Sequence, residues 1–314
     1  MTGPAYPDPR YAAGPPAVCY RHPDRPTGLS CSRCGRPACP ECLRPAAVGQ
    51  HCLDCLRADG MQRTTVPQFG DRGIRPMVAK PLVASRPYAT YGLIAVNVVI
   101  FVICALQARG VDMLRSQLFV DWALYKPWVA DGEYWRLLTA GFLHFSVTHI
   151  AVNMLSLYIL GRDLEIAIGI PRYLGVYLTA LLGGSAAVMV LGADNGVNAG
   201  ASGAIYGLMG AVLVVVIKAR ASPTPVITII VLNLVLSVTI PGISLFAHVG
   251  GLVFGAAATA GIIFGPQWVL APERRTAAAA SRVGWIAMIG LLVIAVVIGV
   301  GAGLAFPSSR IPLG

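Results

Sequence analysis

The sequence contains few charged residues. Asp, Glu, Lys and Arg make up 12% of its 314 residues, whereas hydrophobic residues make up 56%. Soluble domains carry about 25% charged residues, so this scarcity excludes an ordinary soluble protein and places most of the chain in lipid. Acidic residues are scarcest, with 14 Asp and Glu against 24 Lys and Arg. The net charge of +10 is concentrated before residue 90 and in short loops between apolar segments. That distribution indicates orientation by cytoplasmic basic residues and disfavours a nucleic-acid-binding face.

The first 80 residues lack a long apolar segment. We therefore expect no secretory signal peptide there and a cytoplasmic N-terminus. Cysteine is nearly absent from the rest of the chain, because seven of the eight cysteines lie between residues 19 and 55. In the reducing cytoplasm, such a cluster binds metal more often than it forms disulfides.

This cysteine-rich segment contains four pairs of ligand-type residues, each with two residues between its members: Cys19 and His22, Cys31 and Cys34, Cys39 and Cys42, Cys52 and Cys55. Eight ligands suffice for two tetrahedral zinc sites. An alternating cross-brace would join the first pair to the third and the second pair to the fourth. His51 is an alternative ligand to Cys52, and a disulfide-rich knot is the alternative to zinc.

The spacing of these pairs resembles that of B-box zinc fingers, with Cys52 and Cys55 in place of the usual late histidines. Residues 19–56 are therefore expected to form a small B-box-like zinc-binding module that holds two structural zinc ions. A cytoplasmic protein is the partner we expect first for this module, followed by anionic lipid, with nucleic acid last.

Composition divides the remaining chain into a disordered leader (1–18), a polar linker (57–87) and seven apolar segments, at about 88–107, 147–164, 172–192, 201–218, 225–240, 245–264 and 283–305. Most of these segments reach the ~20 residues that a membrane-spanning helix needs. The sequence thus predicts an all-α polytopic membrane protein, preceded by the zinc-finger module. Its parts are a six-helix domain (88–264), a cytoplasmic loop (265–282), a seventh C-terminal transmembrane helix (283–305) and a tail (306–314). Residues 108–146 are expected to form short helices in the outer membrane interface.

Basic residues set the expected orientation. The loops after the second, fourth and sixth apolar segments contain Lys or Arg, whereas the loops after the third and fifth contain neither. Since cytoplasmic loops are enriched in Lys and Arg, we expect a multi-pass plasma-membrane protein with a cytoplasmic N-terminus and an extracytoplasmic C-terminus.

Three apolar segments carry polar side chains near the end predicted to face outside. Ser202 begins the fourth segment, His149 and Asn153 share one face of the second, and His248 lies near the start of the sixth. We interpret Ser202 as a nucleophile, His248 as its base, and His149 and Asn153 as donors to an oxyanion. The alternatives are an N-cap or close-packing role for Ser202, and a packing hydrogen bond or a metal site for His149 and Asn153.

No acidic residue lies at that depth in any apolar segment, so the sequence predicts a Ser–His dyad without an orienting carboxylate. Tyr206 shares a helical face with Ser202, and it could stack on the histidine ring or simply pack. Small residues recur every four positions, which permits close approach of the fourth and sixth segments. They are Gly203 and Gly207 on the fourth, and Ala247, Gly251 and Gly255 on the sixth.

Residues 88–264 resemble the rhomboid family of intramembrane serine proteases. The motifs, in family order, are Trp135-Arg136, His144, His149-x3-Asn153, Gly200-Ala201-Ser202-Gly203 with Tyr206, and His248-Val249-Gly250-Gly251. The resemblance implies a six-helix bundle, with the extra seventh helix of some members. It implies Ser202 as nucleophile and His248 as general base, with an oxyanion hole formed by the His149 and Asn153 side chains and the Ser202 N–H. It further implies a structural role for Trp135 and Arg136 and no cofactor for the chemistry, and it does not extend to the zinc module.

The expected activity is cleavage of transmembrane protein substrates near the outer membrane face. One alternative is a non-catalytic rhomboid-like protein that binds client transmembrane helices. A small-molecule transporter is less favoured, because its ionisable residues would lie at several depths rather than in one layer.

Overall fold

The computed structural model describes residues 17–45, 49–56 and 86–307. Most of the expected leader, most of the expected linker and the end of the expected tail lie outside these residues. The chain divides into two compact units, Met1–Lys80 and Pro81–Gly314.

The first unit contains two antiparallel β-ribbons. Strand β1 (Val18–Cys19) pairs with β2 (His22–Pro26), and β3 (Leu43–Pro45) pairs with β4 (Gln50–Cys52). Its buried core consists of six cysteine side chains together with Ala38 and Leu43. Because so small an apolar core cannot stabilise a fold of this size, a crosslink or a metal is needed.

The second unit is helical, and each predicted apolar segment forms a helix. In chain order the helices are α1 (Tyr88–Ala108), α2 (Gln117–Trp122), α3 (Lys126–Ala130), α4 (Arg136–Thr139), α5 (Val147–Ile168), α6 (Ile170–Leu191), α7 (Ser202–Lys218), α8 (Thr224–Thr239), α9 (Leu245–Ile263), α10 (Gly265–Val269) and α11 (Ala277–Leu304). The connection between α1 and α5 contains the short helices that the sequence predicts.

Among the described residues, four helices are long and apolar enough to cross a membrane: α1, α6, α9 and α11. Residues Arg136–Phe142 and helix α5 form a pair bent by 92°, which could count as a fifth span. Helices α7 and α8 are apolar but shorter, with 17 and 16 residues. The fold is thus that of a helical membrane protein, and the seven crossings stay a prediction.

Two boundaries differ from the sequence-based prediction. The segment 265–282, expected to be a loop, contains α10 and the start of α11. Helix α11 begins early because the Thr276 side chain accepts a hydrogen bond from Ala279 N–H (3.2 Å) and because four alanines follow it. Helix α5 extends to Ile168, one turn past its predicted end.

Helices α7 and α9 pack against each other through glycine. A Cβ atom built on Gly251 would lie 2.6 Å from the Gly203 carbonyl carbon, and one built on Gly203 would lie 3.2 Å from the Ala247 carbonyl oxygen. Real Cβ atoms essentially never come as close as 3.0 Å. This contact of the two backbones brings the start of α7 beside the start of α9.

Candidate active site

The side chains of Ser202 and His248 meet at these adjoining helix starts. Ser202 is the first residue of α7, and His248 lies in the first turn of α9. Ser202 Oγ lies 2.9 Å from His248 Nε2. The N-cap of α7 is Ala201, so the alternative N-cap role for Ser202 does not fit the structure. The hydroxyl is therefore free to interact with the imidazole.

Tyr206 lies one turn after Ser202 and stacks on the His248 ring. The ring centroids are 4.0 Å apart, and the ring planes differ by 13°. The Tyr206 hydroxyl also lies 3.0 Å from Ser237 Oγ. The sequence suggested stacking for Tyr206, but it gave no indication of the second contact.

Ser237 is a polar neighbour of the site that sequence reasoning missed. Its Oγ lies 2.7 Å from His248 Nδ1, and its hydroxyl donates to the Asn233 carbonyl at 2.8 Å. Ser237 lies in the last turn of α8, which enters the site by its C-terminal end, whereas α5, α7 and α9 enter by their N-terminal ends. The available signal was a hydroxyl in the last turn of an apolar segment, eleven residues before His248, but Thr239 carries a hydroxyl in the same turn.

His149 faces the other side of Ser202. Ser146 caps α5 by accepting a hydrogen bond from His149 N–H (3.2 Å), which fixes the backbone there. Phe145 N–H donates to His149 Nδ1 at 3.4 Å. In a neutral ring the proton is then on Nε2, because the two nitrogens have opposite roles. A Cβ atom at Gly200 would lie 3.0 Å from this Nε2 and 3.6 Å from Ser202 Oγ, so both groups border one small space.

Asn153 and His144 lie beside His149. The Asn153 Nδ2 donates one hydrogen bond to the His149 carbonyl at 3.0 Å, and a second N–H on that atom is left for another acceptor. The His144 ring is 1% exposed and meets the His149 ring edge-on, with centroids 5.0 Å apart. His144 thus contacts the site through His149, by packing.

Residues of the α1–α5 connection anchor the segment before Ser202. Leu124 and Asn198 exchange two backbone hydrogen bonds of 2.9 and 2.8 Å, and Gly200 N–H donates to the Ala140 carbonyl at 2.9 Å. Gly200 has φ of +141°, a conformation that residues with a side chain rarely adopt. A glycine is needed here both for this backbone angle and for the space beside Ser202.

Trp135 and Arg136 hold the same connection together. The buried Arg136 guanidinium donates to the carbonyls of Val120 (2.5 Å) and Ala123 (2.9 Å). The Trp135 indole N–H donates to the Asp121 carbonyl at 3.2 Å. These contacts fit the structural role that the resemblance implies.

The first unit contains two groups of metal-ligand side chains, which have the same memberships that the cross-brace interpretation predicts: Cys19, His22, Cys39 and Cys42 in one, and Cys31, Cys34, Cys52 and Cys55 in the other. The ligand atoms within each group lie within 4.8 Å of one another. All eight cysteines are free, so the alternative disulfide knot is absent. His51 belongs to neither group.

The distances within these groups fit tetrahedral zinc. With Zn–S bonds of about 2.3 Å, two sulfur ligands lie ~3.8 Å apart. The Cys31–Cys55 and Cys34–Cys52 Sγ distances are 3.9 and 3.8 Å. His22 Nδ1 lies 3.5 Å from Cys39 Sγ. The residues present therefore match the donor set and size of a zinc site.

Backbone hydrogen bonds lower the pKa of one thiol in each ligand group. Burial raises the pKa of the Cys31 thiol, but hydrogen bonds from the backbone of Cys52, Cys34 and Arg33 outweigh it and lower the pKa to about 6. Cys19 has the same balance of burial against backbone hydrogen bonds, and its pKa is also lowered to about 6. Each group thus contains a thiol that ionises readily, which is the form that binds metal.

The sequence is similar to proteins of one family. Residues 131–266 match the family model of the Rhomboid domain. The chain is 35% identical over 182 residues to Rhomboid protease GluP of Bacillus subtilis (strain 168), a match that covers 56% of this chain and 35% of GluP. It is 36% identical over 136 residues to RHOMBOID-like protein 4 of Arabidopsis thaliana, covering 41% of this chain and 34% of that protein.

A third relative is matched over most of its length. The chain is 30% identical over 174 residues to the rhomboid protein YdcA of Bacillus subtilis (strain 168), covering 54% of this chain and 85% of YdcA. By contrast, the matches span about a third of GluP and of RHOMBOID-like protein 4.

Proposed function

The chain belongs to the rhomboid family, and from that membership we propose that it is an intramembrane serine endopeptidase with Ser202 as nucleophile and His248 as general base. The observation that carries the proposal is the 2.9 Å contact between Ser202 Oγ and His248 Nε2. That distance lies within the range of about 2.6–3.2 Å required for direct proton transfer. The half-buried Ser202 lies at the start of its helix, where a substrate carbonyl could reach it.

In the proposed first step, His248 Nε2 takes the proton of Ser202 Oγ while that oxygen bonds to the scissile carbonyl carbon. When the C–N bond breaks, His248 returns the proton to the leaving amine. His248 then activates a water that cleaves the acyl ester and regenerates Ser202. The site also needs donors for the negative oxygen of each tetrahedral intermediate.

We assign these donors to the Ser202 backbone N–H and to the side chains of His149 and Asn153. Ser202 is the first residue of α7, so its N–H is one of the four that a helix leaves without an intrahelical acceptor. The His149 Nε2–H borders the space beside Gly200, and Asn153 keeps a second amide N–H. Loss of one such donor typically lowers the rate by about 10²–10³-fold.

The proposed substrates are transmembrane proteins cleaved near the outer face of the plasma membrane. The distribution of Lys and Arg favours a cytoplasmic N-terminus and an extracytoplasmic C-terminus, which places the starts of α5, α7 and α9 on the outer side. A substrate helix must unwind locally before cleavage, since a helical backbone keeps its carbonyls hydrogen-bonded.

The test uses the full chain in lipid vesicles with a model transmembrane substrate. We expect cleavage by the parent protein, and loss of cleavage in Ser202→Ala and His248→Ala. Thr228→Val is a matched control, because it removes an exposed hydroxyl of α8 that bonds only within its helix (to Thr224 O, 2.9 Å). A fluorophosphonate should label Ser202 in the parent and the control, as located by mass spectrometry.

Cleavage that persists in either dyad variant would contradict the proposed mechanism. A folded parent that binds the substrate without cleaving it, and that resists the fluorophosphonate, would instead favour a non-catalytic protein that binds client helices.

We propose further that residues 19–56 form a zinc module apart from the membrane domain at 88–264. Support comes from the two groups of four ligand side chains, each of which would hold one structural zinc ion. The metal would supply the folding energy that the small core lacks. A cytoplasmic protein remains the first proposed partner for this module.

A further inference from the structure

Ser237 makes three polar contacts at the edge of the site. Its Oγ lies 2.7 Å from His248 Nδ1, 3.0 Å from the Tyr206 hydroxyl and 2.8 Å from the Asn233 carbonyl oxygen. Its side chain is buried. Ile230 is the other buried residue of α8, and most of the helix is exposed. The one buried polar side chain of α8 is therefore directed at the imidazole of His248.

Counting protons assigns a direction to each contact. The Asn233 carbonyl has no proton, so Ser237 must donate there, and its single hydroxyl proton is then used. The two oxygen lone pairs of Ser237 remain for Tyr206 and His248, and both must donate. All three hydrogen bonds form together only if His248 carries a proton on Nδ1.

This tautomer determines what Nε2 can do. In a neutral imidazole with the proton on Nδ1, Nε2 has a lone pair. That lone pair faces Ser202 Oγ, so the hydroxyl of Ser202 donates to it. The opposite tautomer would present an N–H to Ser202 and could not accept its proton.

We propose that Ser237 is a positioning residue that holds His248 in the tautomer and orientation needed to activate Ser202. This inference rests on the proposed protease function. Ser237 takes the place at Nδ1 that a carboxylate occupies in a Ser–His–Asp triad, but as a neutral acceptor. Tyr206 assists through its stacking and its hydrogen bond to Ser237.

Ser237→Ala tests the proposal, because alanine keeps the volume and removes the acceptor. We expect kcat to fall about tenfold, the effect of one neutral hydrogen bond, with KM changed less than about twofold. The rate constant for fluorophosphonate labelling of Ser202 should fall by a similar factor, which reports on the nucleophile without substrate. Thr228→Val, which loses a hydroxyl from the same helix, should match the parent in both measurements.

A conservative substitution at Ser237 distinguishes a positioning role from an effect on stability. Ser237→Thr keeps an oxygen acceptor, so we expect kcat and labelling to recover to within about threefold of the parent. Parent-like kcat and labelling in folded Ser237→Ala would overturn the positioning role. The role would also be overturned if Ser237→Thr lost as much kcat and labelling as Ser237→Ala and its thermal unfolding midpoint fell. That pattern would indicate a packing defect.

The failure of this inference can be distinguished from failure of the protease proposal. If Ser202→Ala and His248→Ala are inactive while Ser237→Ala is fully active, only the positioning role is wrong. If a dyad variant still cleaves, the protease mechanism fails, and the role of Ser237 fails with it.

Discussion

At the scale of single residues, the site depends on a small volume bordered by Ser202, His149 and Gly200. A methyl group in place of the Gly200 hydrogen would lie 3.0 Å from His149 Nε2. In the proposed oxyanion hole, a substrate carbonyl oxygen held by His149 would occupy the same volume. Glycine is thus required by the space as well as by its φ of +141°.

Gly200→Ala should therefore impair catalysis more than folding. We expect kcat/KM to fall about 100-fold, comparable with loss of an oxyanion donor. The backbone strain of an alanine at this φ should cost about 1–3 kcal/mol of stability. Initial cleavage rates, together with thermal unfolding in detergent, measure the two effects separately.

Gly196→Ala is the matched control for this substitution. A Cβ atom there would make ordinary contacts, the nearest being the Ala193 carbonyl oxygen at 3.5 Å. Its activity should equal that of the parent. If Gly200→Ala were as active as Gly196→Ala, the space beside Gly200 could not be where the oxyanion forms.

At the scale of elements, the start of α1 is bound to the end of α5 by a buried carboxylate. Glu165 accepts hydrogen bonds from Ala89 N–H (3.0 Å), Thr90 N–H (2.7 Å) and the Thr90 hydroxyl (2.8 Å). Its negative charge also lies at the positive end of the α1 dipole. One side chain therefore caps a helix that is 76 residues distant in sequence.

Glu165→Gln should destabilise the protein without altering the chemistry. An amide has one acceptor oxygen and no charge, so the loss of charge-assisted bonds is expected to lower the unfolding free energy by about 1–3 kcal/mol. Thermal unfolding in detergent measures this change, and kcat below the transition should stay within about twofold of the parent.

Asp163→Asn is the control, since Asp163 is an exposed carboxylate that forms an ion pair with its neighbour Arg162. It should leave the unfolding midpoint nearly unchanged. Equal midpoints for both variants would show that Glu165 does not cap α1.

Sequence patterns predicted the helices of the membrane unit and the contact between Ser202 and His248, and each prediction has a physical reason. Apolar length marks a helix that lies in lipid, and the four-residue spacing of Gly203 and Gly207 marks a face that approaches another backbone. Ser237 was not predictable in the same way. Polar side chains occur on more than one side of α8, where Thr228 is exposed and Ser237 is buried, so its sequence does not show which side turns toward the bundle. Nothing in the sequence of α1 marks Thr90 as the partner of Glu165.

At the scale of the whole molecule, the two kinds of chemistry belong to different units. Every residue proposed for catalysis lies in Pro81–Gly314, and every proposed zinc ligand lies in Met1–Lys80. The memberships of the two Cys/His groups were predictable because pairs spaced by two residues are typical of tetrahedral metal sites. The dyad needs no metal for proton transfer, so the two functions should be separable by experiment.

The double variant Cys31→Ser, Cys34→Ser tests this separation in the full chain. Elemental analysis should show about two zinc ions per chain in the parent and about one in the variant, because one ligand group is lost. Hydrogen exchange within residues 19–56 should accelerate, since a module with so small a core depends on metal for its folding. Cleavage by the variant should stay within about twofold of the parent, because Ser202 and His248 are unaffected.

Cys104→Ser is the control, because Cys104 is buried in the membrane unit among apolar side chains and belongs to neither ligand group. Its zinc content should equal that of the parent. Parent protein that contains no zinc after purification without chelators would remove the metal assignment. The double variant could instead lose zinc as expected and also lose cleavage. That result would mean that the module controls the protease, because proton transfer between Ser202 and His248 does not itself require zinc.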